Sequence, residues 1–200
     1  MAGSRTLLAV LVGLPLLVGG YAWLSGRPVK HAPGALVSEA PRQDEAASAP
    51  ALEKSSFRLT PLATYEIRAL VLGKEHYRWD EGADLVPVDL AVGWGPMSDS
   101  NVLKSIDITQ GGRWYYWRSA SMPIPAAEIT RHSANMHLIA ADKVIARQIA
   151  NVRTGQVVRM RGFLVEAKRG DGYTWRSSLS REDSGGGSCE LKWVSAIDVE

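Results

Sequence analysis

The stretch HSANMH, residues 132–137, sets two of the chain's four histidines beside a serine and an asparagine, with Asp142 shortly after. Imidazoles relay protons near neutral pH and ligate metals. Spacing limits what this pair can do. His132 and His137 are five apart, whereas two ligands on one helix face stand three or four apart, as in H-E-x-x-H. In an extended segment an odd separation turns them to opposite faces. A shared metal would need an irregular loop, with Asp142 or the distant Cys189 completing the shell. Ser133 lacks the G-x-S-x-G elbow of an exposed nucleophile. Cys189 is the more reactive atom, and His132 or His137 could activate it, yet it alternates in phase with Leu191 and Trp193, as a buried structural thiol would. His132, His137, Asp142 and Cys189 are therefore the candidates for catalysis. No metal or other cofactor is expected, and the segment reads as an irregular connection into the helix that follows.

The second feature is RWYYWR, Arg113–Arg118. Aromatic faces flanked by arginines can seat sugar rings, bases or a protein partner, because they offer large contact area at low entropic cost. Period two divides them in a strand, with Trp114 and Tyr116 on one side and Tyr115 and Trp117 on the other, so one pair is expected in the core. Arg113, Trp114, Tyr115, Tyr116, Trp117 and Arg118 form the candidate partner surface. Asp84, Asp89, Asp99 and Asp107 each lie near a turn signal, and capping or turn bonding accounts for them. The glycines at 93, 95 and 185–187 form no phosphate-binding loop.

The elements that would carry these residues follow from periodicity. Thr64 to Leu72 alternates Tyr65, Ile67, Ala69 and Val71 against Glu66 and Arg68, a strand pattern. PVDLAVGWG, residues 87–95, is short and broken by glycine, and Ser98 to Ser105 allows one helical turn capped by Ser98 or Asp99. IDITQGGRWYYWRS reads as a hairpin turning at Gly111-Gly112. Pro125 opens a short helix. Leu138, Ala141, Ile145, Ile149 and Val152 recur at steps of three and four, which predicts one main helix from about Ala140 to Asn151. The last forty-five residues suggest a three-stranded meander with turns at 170–172 and 185–187, in which Cys189 to Val199 buries its odd-numbered face. The expected fold is α+β, a mostly antiparallel curved sheet of the partly closed OB type with one main helix, plus an N-terminal transmembrane helix.

Residues 6–24, TLLAVLVGLPLLVGGYAWL, carry no charge and are nearly long enough as a helix to cross a hydrocarbon core of about 30 Å. Tyr21 and Trp23 suit a membrane interface. Cleavage after Ala22 as a signal peptide is the alternative, but the apolar run exceeds the usual signal length, which favours a retained anchor. The chain then divides into a flank at 1–5, a signal-anchor at 6–24, a Pro/Ala/Ser linker at 25–55 and a folded domain at 56–200. A lone segment so near the amino terminus commonly directs export, so the domain is expected on the periplasmic or outer side of the cytoplasmic membrane. Net charge of +2 argues against a dedicated nucleic-acid binder.

The strings DLAVGWGPMSD, RWYYWR, HSANMHLI and SLSREDSGGGSCELKWV together resemble a group of exported or membrane-anchored bacterial proteins, one to which no activity attaches. The resemblance implies a bacterial envelope setting. The expected function is a membrane-anchored binding or scaffold domain for a protein or glycan partner; the alternative is an envelope hydrolase or metal-dependent enzyme using His132 and His137.

Overall fold

The computed structural model describes residues 27–46, 49–180 and 189–200. The expected membrane segment at 6–24 and the glycine-rich turn at 185–187 lie outside them. No helix among the described residues is long and apolar enough to cross a membrane.

The body is an α+β unit. Its strands are β1 (Arg42–Glu45), β2 (Leu52–Lys54), β3 (Phe57–His76), β4 (Val88–Gly93), β5 (Asp107–Gly111), β6 (Trp114–Arg118), β7 (Ser133–Ala140), β8 (Val157–Arg169), β9 (Thr174–Arg176) and β10 (Glu190–Val199). Its helices are α1 (Ser100–Leu103), α2 (Ala126–Arg131) and α3 (Lys143–Asn151). Strand β3 pairs with β4, β4 with β7, β7 with β10, β10 with β8, and β8 returns to β3, so five strands form a ring. Only β7 and β10 run parallel among the described pairings. Helix α3 spans the connection from β7 to β8, and β5 and β6 form a separate hairpin between β4 and β7.

Apolar side chains from every ring strand, among them Ile67, Leu90, Met136, Met160 and Val194, meet inside, and Ile145 and Ile149 of α3 close one end. A second cluster lies on the opposite face of β7, β8 and β10, where Ile139, Val165, Leu191 and Trp193 meet Leu85 and Val86. A strand as long as β3 must curve to belong to a ring, and it does so through bulges between Pro61 and Ala63 and between Val71 and Gly73. The first bulge exchanges the faces. Phe57 and Leu59 join the second cluster, whereas Ala63 and Tyr65 face the interior.

Strand β10 does the same at Ser195, so its odd-numbered face does not stay in one core as the alternation predicts. Leu191 and Trp193 face the second cluster, and Val194 and Ile197 the first. The bulge brings backbone against backbone at Gly162, where a Cβ would stand 1.9 Å from the Trp193 carbonyl oxygen. Only glycine fits such an approach.

Four further expectations need correction. HSANMH is no irregular connection: its last five residues, Ser133–His137, open β7, which is buried throughout, and His132 ends the preceding helix. Helix α3 starts at Lys143, because Asp142 accepts bonds from the Val144 and Ile145 N–H groups and caps it there; Leu138 belongs to the strand. The last strands do not meander, since β9 and β10 lie in tandem along one edge of β8. The hairpin turns on Gly112 and Arg113, both at positive φ, while Gly111 pairs with Trp114.

Residues expected as a tether also pack on the body. Val37 is fully buried and held by the Ser98 hydroxyl, β1 pairs with β3, and β2 pairs with the start of β3.

Candidate binding pocket

The polar side chains of HSANMH alternate with apolar ones. Ala134, Met136 and Leu138 face the ring interior, and Ser133, Asn135 and His137 face outward, where the β5–β6 hairpin covers Ser133 and Asn135. Buried polar groups must find partners there. The Ser133 hydroxyl donates to the Ile129 carbonyl at 2.6 Å and stands 2.7 Å from the Tyr115 hydroxyl. Burial pushes the Tyr115 phenol above its ordinary value. Asn135 accepts from the Gln110 amide at 2.8 Å and donates to the Arg113 carbonyl at 3.2 Å. Ser133 is thus committed to structure, and Asn135 seats the hairpin on β7.

Arg113, at φ 70°, holds the turn in the left-handed region that non-glycine residues seldom occupy. Its contacts account for the conformation. One guanidinium nitrogen lies 3.0 Å from Asp89 and another 2.7 Å from Asp80, while its N–H donates to the Tyr77 hydroxyl at 3.0 Å. The guanidinium also lies over the Tyr77 ring, 3.7 Å from its centre. Asp89, fully buried in β4, meets His137 across the strand register, with Oδ2 2.9 Å from Nδ1. The two atoms are close but lack the alignment of a directed hydrogen bond. The His137 ring tilts against Trp175, with centres 4.6 Å apart.

Of these, Asp80, Arg113, His137 and Trp175 line a 490 Å³ pocket, with Asp89 buried behind them. The segment between β3 and β4 supplies Asp80, Glu81 and Gly82; the hairpin supplies Arg113 and Trp114; Tyr173, Trp175, Arg176 and Cys189 come from the stretch between β8 and β10. Each arginine here already has a carboxylate: Arg113 has Asp80 and Asp89, Arg169 has Glu81 and Asp171, and Arg176 has Glu166. The aromatic edges remain available, since Trp114 is 38% exposed and Trp79, next to Asp80 on the segment between β3 and β4, is 94% exposed.

His132 is elsewhere. It caps the end of α2, where its Nδ1 stands 2.9 Å from the Glu128 carbonyl oxygen and its ring packs towards Trp94. His137 and Cys189 share the pocket; His132 and Asp142 do not line it. Cys189 makes long contacts with Asn135 and with the Arg113 carbonyl, both at 3.9 Å. Among the described residues no group of three potential ligands could hold a metal ion. On β6, Trp114 and Tyr116 are exposed; Tyr115 is tucked onto β7, Trp117 packs towards Ile129, and Arg118 is exposed at the hairpin base.

Periodicity alone missed Tyr77, Asp80, Asp89, Tyr173, Trp175 and Arg176. One had a visible signal: Asp89 is the lone charge inside the apolar run PVDLAV, and a charge in a doubly buried strand requires a buried partner. Turn bonding does explain Asp99, which caps α1. No protein-family model, no curated protein and no solved structure matches this chain.

Proposed function

We propose that this chain is a single-pass envelope protein, anchored through residues 6–24, whose domain outside the cytoplasm binds a glycan in the pocket beside Trp114 and Trp175. The ring supports an OB-type reading. Taken in chain order as first to fifth, β3, β4, β7, β8 and β10 are arranged 1-2-3-5-4 and back to 1, with the main helix between third and fourth. Barrels of this type bind oligonucleotides and oligosaccharides against strands 2 and 3 and the 1–2 and 4–5 loops. The pocket draws its lining from the 1–2 loop, strand 3 and the 4–5 connection, and adds the hairpin between strands 2 and 3.

The observation that carries the choice of ligand is the pairing of charge with aromatic surface. A polyanion needs cations free to displace its counterions. Here the arginines are neutralised by Asp80, Asp89, Glu81, Asp171 and Glu166. Ion-paired groups beside Trp114, Tyr173 and Trp175 instead offer planar donors and acceptors for hydroxyls and ring faces for the apolar side of a sugar.

The test is titration of the detergent-solubilised full chain with neutral oligosaccharides of N-acetylglucosamine, followed by tryptophan fluorescence. Trp114→Ala and Trp175→Ala should each weaken binding by about 1 kcal/mol or more, roughly fivefold or more. Affinity that collapses between low and moderate salt, together with capture of single-stranded nucleic acid, would overturn the glycan reading.

His137 at the pocket wall, with Asp89 behind it, supports a second reading, in which the same site hydrolyses its ligand with His137 as proton acceptor. His132 takes no part in it. Turnover of the oligosaccharides that His137→Gln abolishes while binding persists would favour this reading; no turnover by the unmodified chain would exclude it for those substrates.

A further inference from the structure

We infer that a second cavity, separate from the glycan pocket, holds an acyl chain and phosphate headgroup of an anionic phospholipid from the bilayer. The cavity has a volume of 540 Å³ and lies between the segment 29–36, the end of β3, α1 and the start of β5. Its size suits a small-molecule site. Leu72, Leu103, Ile106 and Ile108 make its wall apolar, and such a wall gains by exchanging water for hydrocarbon.

Its charged lining has one sign. Among the described residues the titratable groups lining it are Lys30, His31 and Lys104, with no carboxylate. His31 is engaged by the Gly155 carbonyl at 2.6 Å, which leaves the exposed Lys30 and Lys104 as the headgroup contacts. Among the described residues Lys104 reaches only the neutral Asn101 side chain, at 3.2 Å. The nearby carboxylate of Asp99 accepts from the Gly34 and Asn101 N–H groups. An apolar wall with two lysines at the opening matches an acyl chain with a phosphate, and it contrasts with the mixed, paired charge of the glycan pocket.

The chain path names the source. Val29 is tied to the body by its N–H bond to the Thr154 carbonyl at 2.9 Å, and Leu24 precedes it by five residues. Five residues reach at most about 18 Å when fully extended. The inference rests on residues 6–24 being a membrane anchor, which holds the cavity close to the lipid surface, where lysines gain from anionic headgroups.

The full chain is placed in nanodiscs of phosphatidylcholine containing a phosphatidylglycerol with a photoactivatable acyl end, and crosslinked peptides are mapped by mass spectrometry. Label is expected in 6–24 and also in 70–72 and 103–108. Ile108→Trp, which fills the cavity, should remove the second set and keep the first. Lys30→Gln and Lys104→Gln should each lower cavity labelling by about fivefold, with labelling of 6–24 unchanged. Label confined to 6–24, or equal cavity labelling by an acyl-matched phosphatidylcholine probe, overturns the proposal while the anchor stands. Absence of label in both segments overturns the anchor and the proposal together.

Discussion

Arg113 joins the hairpin, the segment after β3 and β4 at one point, and Asp89 depends on it. The carboxylate is fully buried, with the guanidinium on one oxygen and His137 on the other. Arg113→Ala strips a buried charge of its partner and should cost about 3–5 kcal/mol in urea unfolding. Arg113→Lys should recover only part, because an ammonium cannot span Asp80 and Asp89 as the planar fork does. Asp142, which its polarity marked as a catalytic candidate, caps α3. Asp142→Ala should lower stability by about 1 kcal/mol and leave glycan titration unchanged.

Lys192 lies fully buried inside the ring, donating to the Tyr65 carbonyl at 2.7 Å. Burial pushes its ammonium down from 10.5 to about 7, against the opposing pull of Glu66 and Glu190. The unfolded chain therefore binds more protons than the folded one between about pH 7 and 10.5, and the contribution of Lys192 to stability rises with pH across that window. Its slope is at most about 1.4 kcal/mol per pH unit. Denaturation of the unmodified chain and Lys192→Met over pH 6 to 10 checks this: the difference between the two should narrow as pH rises. A constant difference would show that Lys192 titrates alike in both states.

Among the elements, the strands of the ring were legible where alternation is simple. Tyr65, Ile67 and Ala69 mark β3 inward, and Ser133, Asn135 and His137 against Ala134, Met136 and Leu138 mark β7 as clearly. The bulges were not legible. One extra residue reverses the phase of everything beyond it, and neither Leu62 nor Ser195 signals that reversal by type. Gly162 carries the test: Gly162→Ala forces a methyl group into the Trp193 carbonyl and should cost more than about 3 kcal/mol in thermal or urea unfolding. A loss below 1 kcal/mol would mean the bulge yields easily. The pocket depends on this geometry, since β10 carries Leu191 and Trp193 to the side of the ring that also bears His137.

In the molecule as a whole, the body extends upstream of residue 56. Val37 fills the core, Arg68 pairs with both Glu39 and Glu200, and β1 and β2 cover successive parts of the β3 edge. A chain begun at residue 56 loses all of these but the Arg68–Glu200 pair and should melt well below one begun at residue 27; equal melting temperatures would restore the tether. The Pro/Ala/Ser composition obscured this, because a segment can pack without amphipathic periodicity when it adds a short edge strand and a single anchor such as Val37.

Local composition and period sufficed for the charge-free run at 6–24, the inward face of β3, the division of RWYYWR and the placing of α3 to within a turn, because each depends on neighbours a few residues away. The pocket depends on distance along the chain. Asp80, Arg113, His137, Trp175 and Cys189 come from separate segments, and no local pattern encodes their meeting. Ring closure through the β3–β8 pair and the parallel β7–β10 pair brings them to one rim. The same closure parts His132 from His137: a strand starting at Ser133 leaves one histidine on the preceding helix and turns the other towards Asp89.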